Sequence, residues 1–177
     1  MPRLSENDWL DHGLKTLAMS GFAAIKAASM AETLGVSRGS FYWHFKDLRD
    51  FQVRLLDHWQ SRTTDATIQD LDAKDRDHDR LSDLMARAYA ARPELDRAVR
   101  VWAEYDEEAR KRLNKVDKLR IDYIRKLLKA EGLKDGDARR RARFLYAASL
   151  GDAAIAPDAA ARLSSADLKS LAALLAH

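Results

Sequence analysis

"MAETLGVSRGSFYWHF", residues 30–45, decides how this chain is read. Its opening, MAETL, is made of helix formers and has no strand character. Two helices that cross closely need a small residue at the crossing. They need a residue tolerant of positive φ at the turn, and an apolar side chain in the second helix that packs back. Ala31, Gly35 and Phe41 supply these three in order. Met30, Leu34 and Val36 can fill the same small core. Ser37 then stands at the N-cap of the second helix, where its hydroxyl would satisfy a free backbone N–H.

The same stretch contains GVSRG, residues 35–39, which fits the G-x-S-x-G pattern of a serine nucleophile elbow. That elbow needs a buried strand before the serine and a helix after it. His12, His44, His58, His78 and His177 could each be nominated as a base, but no strand precedes Ser37. The expectation is a helix-turn-helix with no catalytic residue, rather than a hydrolase.

Beyond this stretch the whole chain reads as helix, in about nine pieces, so the fold class is all-α. A first helix spans about 6–20, with Ser5 and Asp8 as a capping box and Gly21 as its stop. Leu10, Leu14 and Leu17 lie on one of its faces. The two helices of the motif follow at about 27–34 and 37–44. A fourth starts near Asp47, with Leu48, Phe51, Leu55 and Trp59 at helical spacing. "QDLDAKDRDHDR", residues 69–80, breaks the apolar pattern and reads as a loop. A fifth helix carries Leu81, Leu84, Met85, Ala88 and Tyr89 and ends before Pro93. A sixth carries Leu95, Val99 and Trp102. A long seventh carries Leu113, Val116, Leu119, Tyr123 and Leu127 and stops at Gly132. An eighth runs from about Asp137 to Ile155, closed by Pro157. The last begins near Ser164.

The chain has 177 residues, 46% of them hydrophobic and 33% charged, enough to bury a core without staples. It has no cysteine, which excludes disulfides and thiolate chemistry. No apolar run is long enough to span a membrane, and "MPRLSENDWL" lacks the apolar core of a signal peptide; a cytoplasmic location is expected. The net charge of +3 is unevenly spread. Residues 1–60 are neutral, 61–109 carry a net −5, 110–143 a net +9, and the remainder a net −1. Any affinity of the N-terminal segment for nucleic acid must come from where single charges sit, not from bulk basicity.

Residues 9–56 resemble the DNA-binding domain of the TetR (tetracycline-repressor) family of transcription regulators. "WLDHGLKTLAMSGF" is similar to the first helix of that family, and "MAETLGVSRGSFYWHFKD" to its helix-turn-helix. Three positions depart from the family pattern: Ile25, Ala28 and Leu48 replace residues that are commonly polar or basic there. Lys26 or Arg49 could take over the backbone contacts. The resemblance implies a helix-turn-helix DNA-binding domain over 1–50 and a helical ligand-binding and dimerisation domain over 51–177. It implies a bacterial, homodimeric, ligand-responsive repressor on a palindromic double-stranded operator. The fourth helix would couple the two parts.

By its place in the first turn of a helix entering the major groove, Arg38 can bond a guanine bidentately, and Ser40 can reach a base or a phosphate. Ser37 lies beside free N–H groups that suit a phosphate. The resemblance assigns Tyr42, His44 and Lys46 to the DNA backbone. Trp43 could lie on a sugar or a thymine methyl. An adaptor with a degenerate motif that binds protein is the alternative.

Asp75, Asp77 and Asp79 are spaced like the start of a calcium loop, but Arg80 and Ala86 stand where Gly and Glu are needed. No metal or other cofactor is expected. His78 is a weak candidate ligand, and Asp77 or Asp79 is expected to cap the fifth helix. The basic run at 109–132 reads as a solvated helix face, with an anionic effector or the acidic 61–109 segment as a sharper reading. Tyr89, Trp102, Tyr105 and Tyr123 are candidates for lining the pocket of an unidentified small-molecule effector. By resemblance the last two helices pair with a second subunit through Phe144, Ala147, Leu150, Leu171 and Leu174.

Overall fold

The computed structural model describes residues 4–74, 79–90, 93–155 and 163–176. Within them the chain is helical, with no strand. The helices are α1 (Glu6–Ser20), α2 (Ala27–Thr33), α3 (Arg38–Tyr42), α4 (Leu48–Gln60), α5 (Ala66–Asp72), α6 (Arg80–Ala90), α7 (Glu94–Tyr105), α8 (Glu107–Ala130), α9 (Asp135–Ile155) and α10 (Ser165–Ala176). A π turn, Ser61–Asp65, follows α4 and leads directly into α5. The all-α expectation holds.

Most helix ends follow local chemistry. Ser5 and Asp8 form the capping box of α1: the Asp8 amide donates to Ser5 Oγ at 3.2 Å, and the Ser5 amide to Asp8 Oδ2 at 2.7 Å. After α2, Gly35 takes φ +67°, the Gly35 amide bonds the Glu32 carbonyl and the Val36 amide bonds the Ala31 carbonyl. This is the paired bonding of a Schellman stop, which requires a left-handed residue. Asp79 caps α6 by accepting from the Ser82 amide at 2.9 Å. Asp75, Asp77, His78, Pro157 and His177 lie outside the described residues. Among the described residues no cluster of acidic or histidine side chains could hold a metal.

One boundary differs from expectation. Residues 69–72 are helix rather than loop, because α5 continues to Asp72. Leu71 is completely buried and Ile68 packs beside it in the core of the second unit. Burial overrode the polar look of the segment.

By contacts the chain divides into two compact units, Met1–Thr63 with Pro93–Lys115, and Thr64–Arg92 with Val116–His177. In the first, α1 packs on α4 and α7, and α2 on α3. Its core holds Trp9, Leu17, Met30, Phe41, Phe45, Phe51, Leu55, Trp59 and Trp102, all with almost no exposure. Gly13 of α1 is buried at the crossing with α4: a Cβ there would stand 2.7 Å from Phe51 Cζ and 2.9 Å from Leu55 Cδ1. Around this core the polar contacts join distant segments. Arg54 of α4 forks onto Glu6 at 3.1 Å, His58 lies 2.7 Å from Asp11, and the Trp59 indole donates to Asp96 at 2.9 Å. Phe22 stacks on Trp102 at 4.5 Å.

In the second unit, α6 packs against α9 and α10. Its core joins Leu71, Leu81, Leu128, Ala138, Ala142, Leu145 and Leu168. The basic run of α8 is partly neutralised here: Lys126 pairs with Asp72 at 2.8 Å, and Arg125 with Asp135 at 2.6 Å. Tyr123 donates to Asp72 at 3.0 Å. Burial, and then the bond to Asp72, push its phenol up to about 12. An unfolded tyrosine ionises near pH 10. The contribution of Tyr123 is therefore intact below about pH 10 and is lost as the pH rises through about 12. Tyr123→Phe is expected to flatten the alkaline decline of stability over that window. Urea midpoints at stepped pH test this; an unchanged decline would contradict it.

Candidate nucleic-acid interface

The site grows from the turn outward. Phe41 is the pivot: its ring meets Trp9, Phe45 and Phe51 at centroid distances of 5.4, 5.0 and 5.3 Å. Driving Phe41 into the core turns its helical neighbours outward. Tyr42 is 46% exposed and Trp43 77% exposed, while Phe45 returns to the core. Ser37, Gly39, Ser40 and Trp43 line a shallow hollow beside α3. Arg38, Lys46 and Lys26 are exposed, Lys26 at the N-cap position of α2. The structure thus brings Ser37, Arg38, Ser40, Tyr42, Trp43 and Lys46 to α3 and its ends.

Charge pairing separates these cations from their neighbours. Among the described residues, no carboxylate forms an ion pair with Arg38, Lys46 or Lys26, whereas both arginines of α4 are paired. Arg49, a candidate for a backbone contact, is engaged: its guanidinium grips Asp106 at 2.5 and 3.4 Å. The bond to Asp106 raises the Arg49 pKa. Burial alone would raise the Asp106 carboxyl, but bonds from Arg49 and from the Ala109 amide outweigh it and hold the carboxyl below its usual range. Asp106 accepts that amide at 2.9 Å in the first turn of α8. At the other end of the motif, Asp47 caps α4 through the Asp50 amide at 2.8 Å. The Lys46 amide donates to Asp50, and that bond is the main reason the Asp50 carboxyl lies below its usual range.

Two details depart from the sequence reading. Ser37 is the N-cap residue of α3, but its hydroxyl makes no capping bond; the Ser40 amide bonds the Ser37 carbonyl at 2.9 Å instead. With φ −70° and ψ 150°, Ser37 leaves its Oγ to other partners. His44 is only partly exposed, and its Nε2 lies 2.9 Å from the Leu4 carbonyl. A carbonyl only accepts, so Nε2 carries the hydrogen. His44 therefore ties the segment before α1 to the end of the motif. No local signal could reveal this, since the partners are forty residues apart in sequence. Ser37 also ends no strand, so the elbow geometry of a hydrolase is absent here.

The remaining candidates belong to other helices. Trp102 and Tyr105 belong to the first unit, Tyr89 and Tyr123 to the second. Trp102 is buried on Phe22, and Tyr105 stands 85% exposed on the surface. Tyr89 is half-buried, and burial, then Asp152, raise its phenol. On α9, Phe144 and Ala147 are exposed and Leu150 is half-buried; on α10, Leu174 is exposed and Leu171 half-buried against the core.

No family model and no curated protein matches the sequence. Solved structures do match. The chain is similar to reduced NemR of Escherichia coli, at 19% identity and a TM-score of 0.74 over 96% of this chain and 95% of that one. It is similar to a TetR-family transcriptional regulator of Rhodococcus sp., at 21% identity and 0.67 over 97% and 96%. It is also similar to the transcriptional regulator FadR of Bacillus subtilis in complex with stearoyl-CoA, at 15% identity and 0.66 over 97% and 96%. The fold is that of TetR-family transcriptional regulators, as the resemblance over residues 9–56 implied. Among the described residues no helix is long and apolar enough to cross a membrane.

Proposed function

We propose that this protein is a sequence-specific, DNA-binding transcription regulator with no catalytic residue. Residues 1–50 would bind DNA and 51–177 would bind an effector and a second subunit. The observation that carries the reading is that, among the described residues, Arg38, Lys46 and Lys26, on and beside α3, enter no ion pair, whereas both arginines of α4 do. A phosphate backbone is the polyanion that such charges suit.

In this reading α3 enters the major groove. Arg38 addresses a guanine, Ser40 a base or a phosphate, and Trp43 a sugar or thymine methyl. Lys46, Lys26, Tyr42 and the unused Ser37 hydroxyl hold the backbone. His44 sets the start of α1 beside them. The acting species is a homodimer on a palindromic operator in a bacterial cytoplasm, repressing until a small molecule binds. The apolar side chains on the outer faces of α9 and α10, Phe144 and Leu174 foremost, support a second copy as partner. The stearoyl-CoA complex of FadR from Bacillus subtilis supports a small-molecule effector, for which Tyr89 and Tyr123 of the second unit are candidate contacts. An effector would shift binding only by its different affinity for the two states. The coupling element in this reading is α4, the helix that follows the motif.

The test is selection of duplexes from a random library by the purified full chain, followed by titration at stepped salt. A palindromic duplex should emerge, bound more weakly as salt rises and lost in Arg38→Ala. Lys46→Ala should lower the slope of log affinity against log salt by about 1 and weaken all duplexes alike. A folded wild type that enriches no duplex overturns the proposal.

A further inference from the structure

Arg38 opens α3 and Tyr42 closes it, one turn apart on the same face. Arg38 Nη2 donates a 3.0 Å hydrogen bond to Tyr42 Oη. The guanidinium carbon lies 5.5 Å from the ring centroid, within reach of a cation–π attraction. The Tyr42 ring is itself held edge-on by Phe41, at 5.3 Å and 84°. Phe41 is completely buried. A core ring thus places a surface ring, and the surface ring places the guanidinium.

We propose that Tyr42 is a specificity-determining positioning residue that presents Arg38 to the base it reads. The inference rests on the DNA-binding reading above and adds to it a role for Tyr42 beyond the DNA backbone. The atoms allow both roles at once. The phenol oxygen accepts from Arg38 while its own O–H stays available to donate to a phosphate. Arg38 commits one of five N–H groups to Tyr42, and four remain for the two-pronged contact with guanine O6 and N7. A long, rotamer-rich side chain held in advance loses less freedom on binding.

The two roles leave different signatures. Loss of a phosphate contact weakens every duplex alike, whereas loss of positioning flattens preference at the one base pair that Arg38 reads. The experiment compares wild type, Tyr42→Phe, Arg38→Ala and the double variant by fluorescence anisotropy. The probes are the duplex selected by wild type and its single-base-pair variants, all at one salt concentration. Arg38→Ala should erase about 5- to 150-fold of discrimination at one base pair. Tyr42→Phe should erase about threefold or more at that same pair. The double variant should lose less than the product of the singles, as expected for residues in contact. Thermal melts confirm folding; Tyr42 is half-exposed and the change removes one oxygen. A second readout needs no DNA: side-chain nitrogen NMR should show slower hydrogen exchange at the Arg38 guanidinium in wild type than in Tyr42→Phe. Equal weakening of all duplexes by Tyr42→Phe, full additivity, or identical Arg38 exchange overturns the inference while leaving the DNA-binding reading standing. If wild type enriches no duplex, both fail.

Discussion

Phe41→Ala is expected to cost about 3–5 kcal/mol of folding stability, the range for removing a large aromatic ring from a well-packed core. The ring has no exposure and touches Trp9, Tyr42, Phe45 and Phe51. A domain of this kind holds only about 5–15 kcal/mol in all. The variant should therefore unfold at a much lower denaturant midpoint. It should lose duplex binding even where it remains folded, because Phe41 carries α3 and the Tyr42 ring. Denaturation followed by circular dichroism measures the first effect and anisotropy the second. A loss below about 1 kcal/mol would mean the site collapses around the gap, and the pivot role of Phe41 would be wrong.

Gly13→Ala should also destabilise, although helix propensity alone favours alanine by about 1 kcal/mol in a helix interior. The added Cβ would lie 2.7 Å from Phe51 Cζ and 2.9 Å from Leu55 Cδ1. Both contacting side chains are completely buried, so neither can swing into solvent. Overpacking of this kind costs about 1–3 kcal/mol, which exceeds the propensity gain. The helices α1 and α4 would be pushed apart at their crossing. A denaturant midpoint below that of wild type is the expected outcome. A midpoint above it would show that the crossing yields and that propensity wins. The same substitution at Gly151, where a Cβ would meet nothing within 4 Å, serves as the control with no clash.

These two residues show how far local reading reaches. Phe41 was legible: its spacing from Ala31 and Gly35 follows from a turn that only a left-handed residue can make. The first-helix cap at Ser5, the stop at Gly21 and the long apolar stripe of α8 were legible for the same reason. Each depends on neighbours within about one turn. Gly13 carried no such signal, because the atoms that require glycine there sit on α4. The helical state of residues 69–72 was hidden likewise, since the burial of Leu71 comes from the second unit. The site residues on α3 were nameable from the motif. Their partners were not: Arg49 grips Asp106 across 57 residues, and His44 reaches Leu4 across 40.

The helical class, the turn at Gly35, the inward face of Phe41 and the side chains that α3 presents are all readable along the chain. Those features arise from backbone propensity, glycine's access to positive φ and the 3.6-residue period, all of which act within a few residues. Which cations stay unpaired, that the Ser37 hydroxyl goes unused as a cap, and that a glycine is needed under Phe51 emerge once the helices have packed. Charge pairing and packing depend on distances between segments far apart in the chain. No periodicity encodes those distances until the helices have closed on one another.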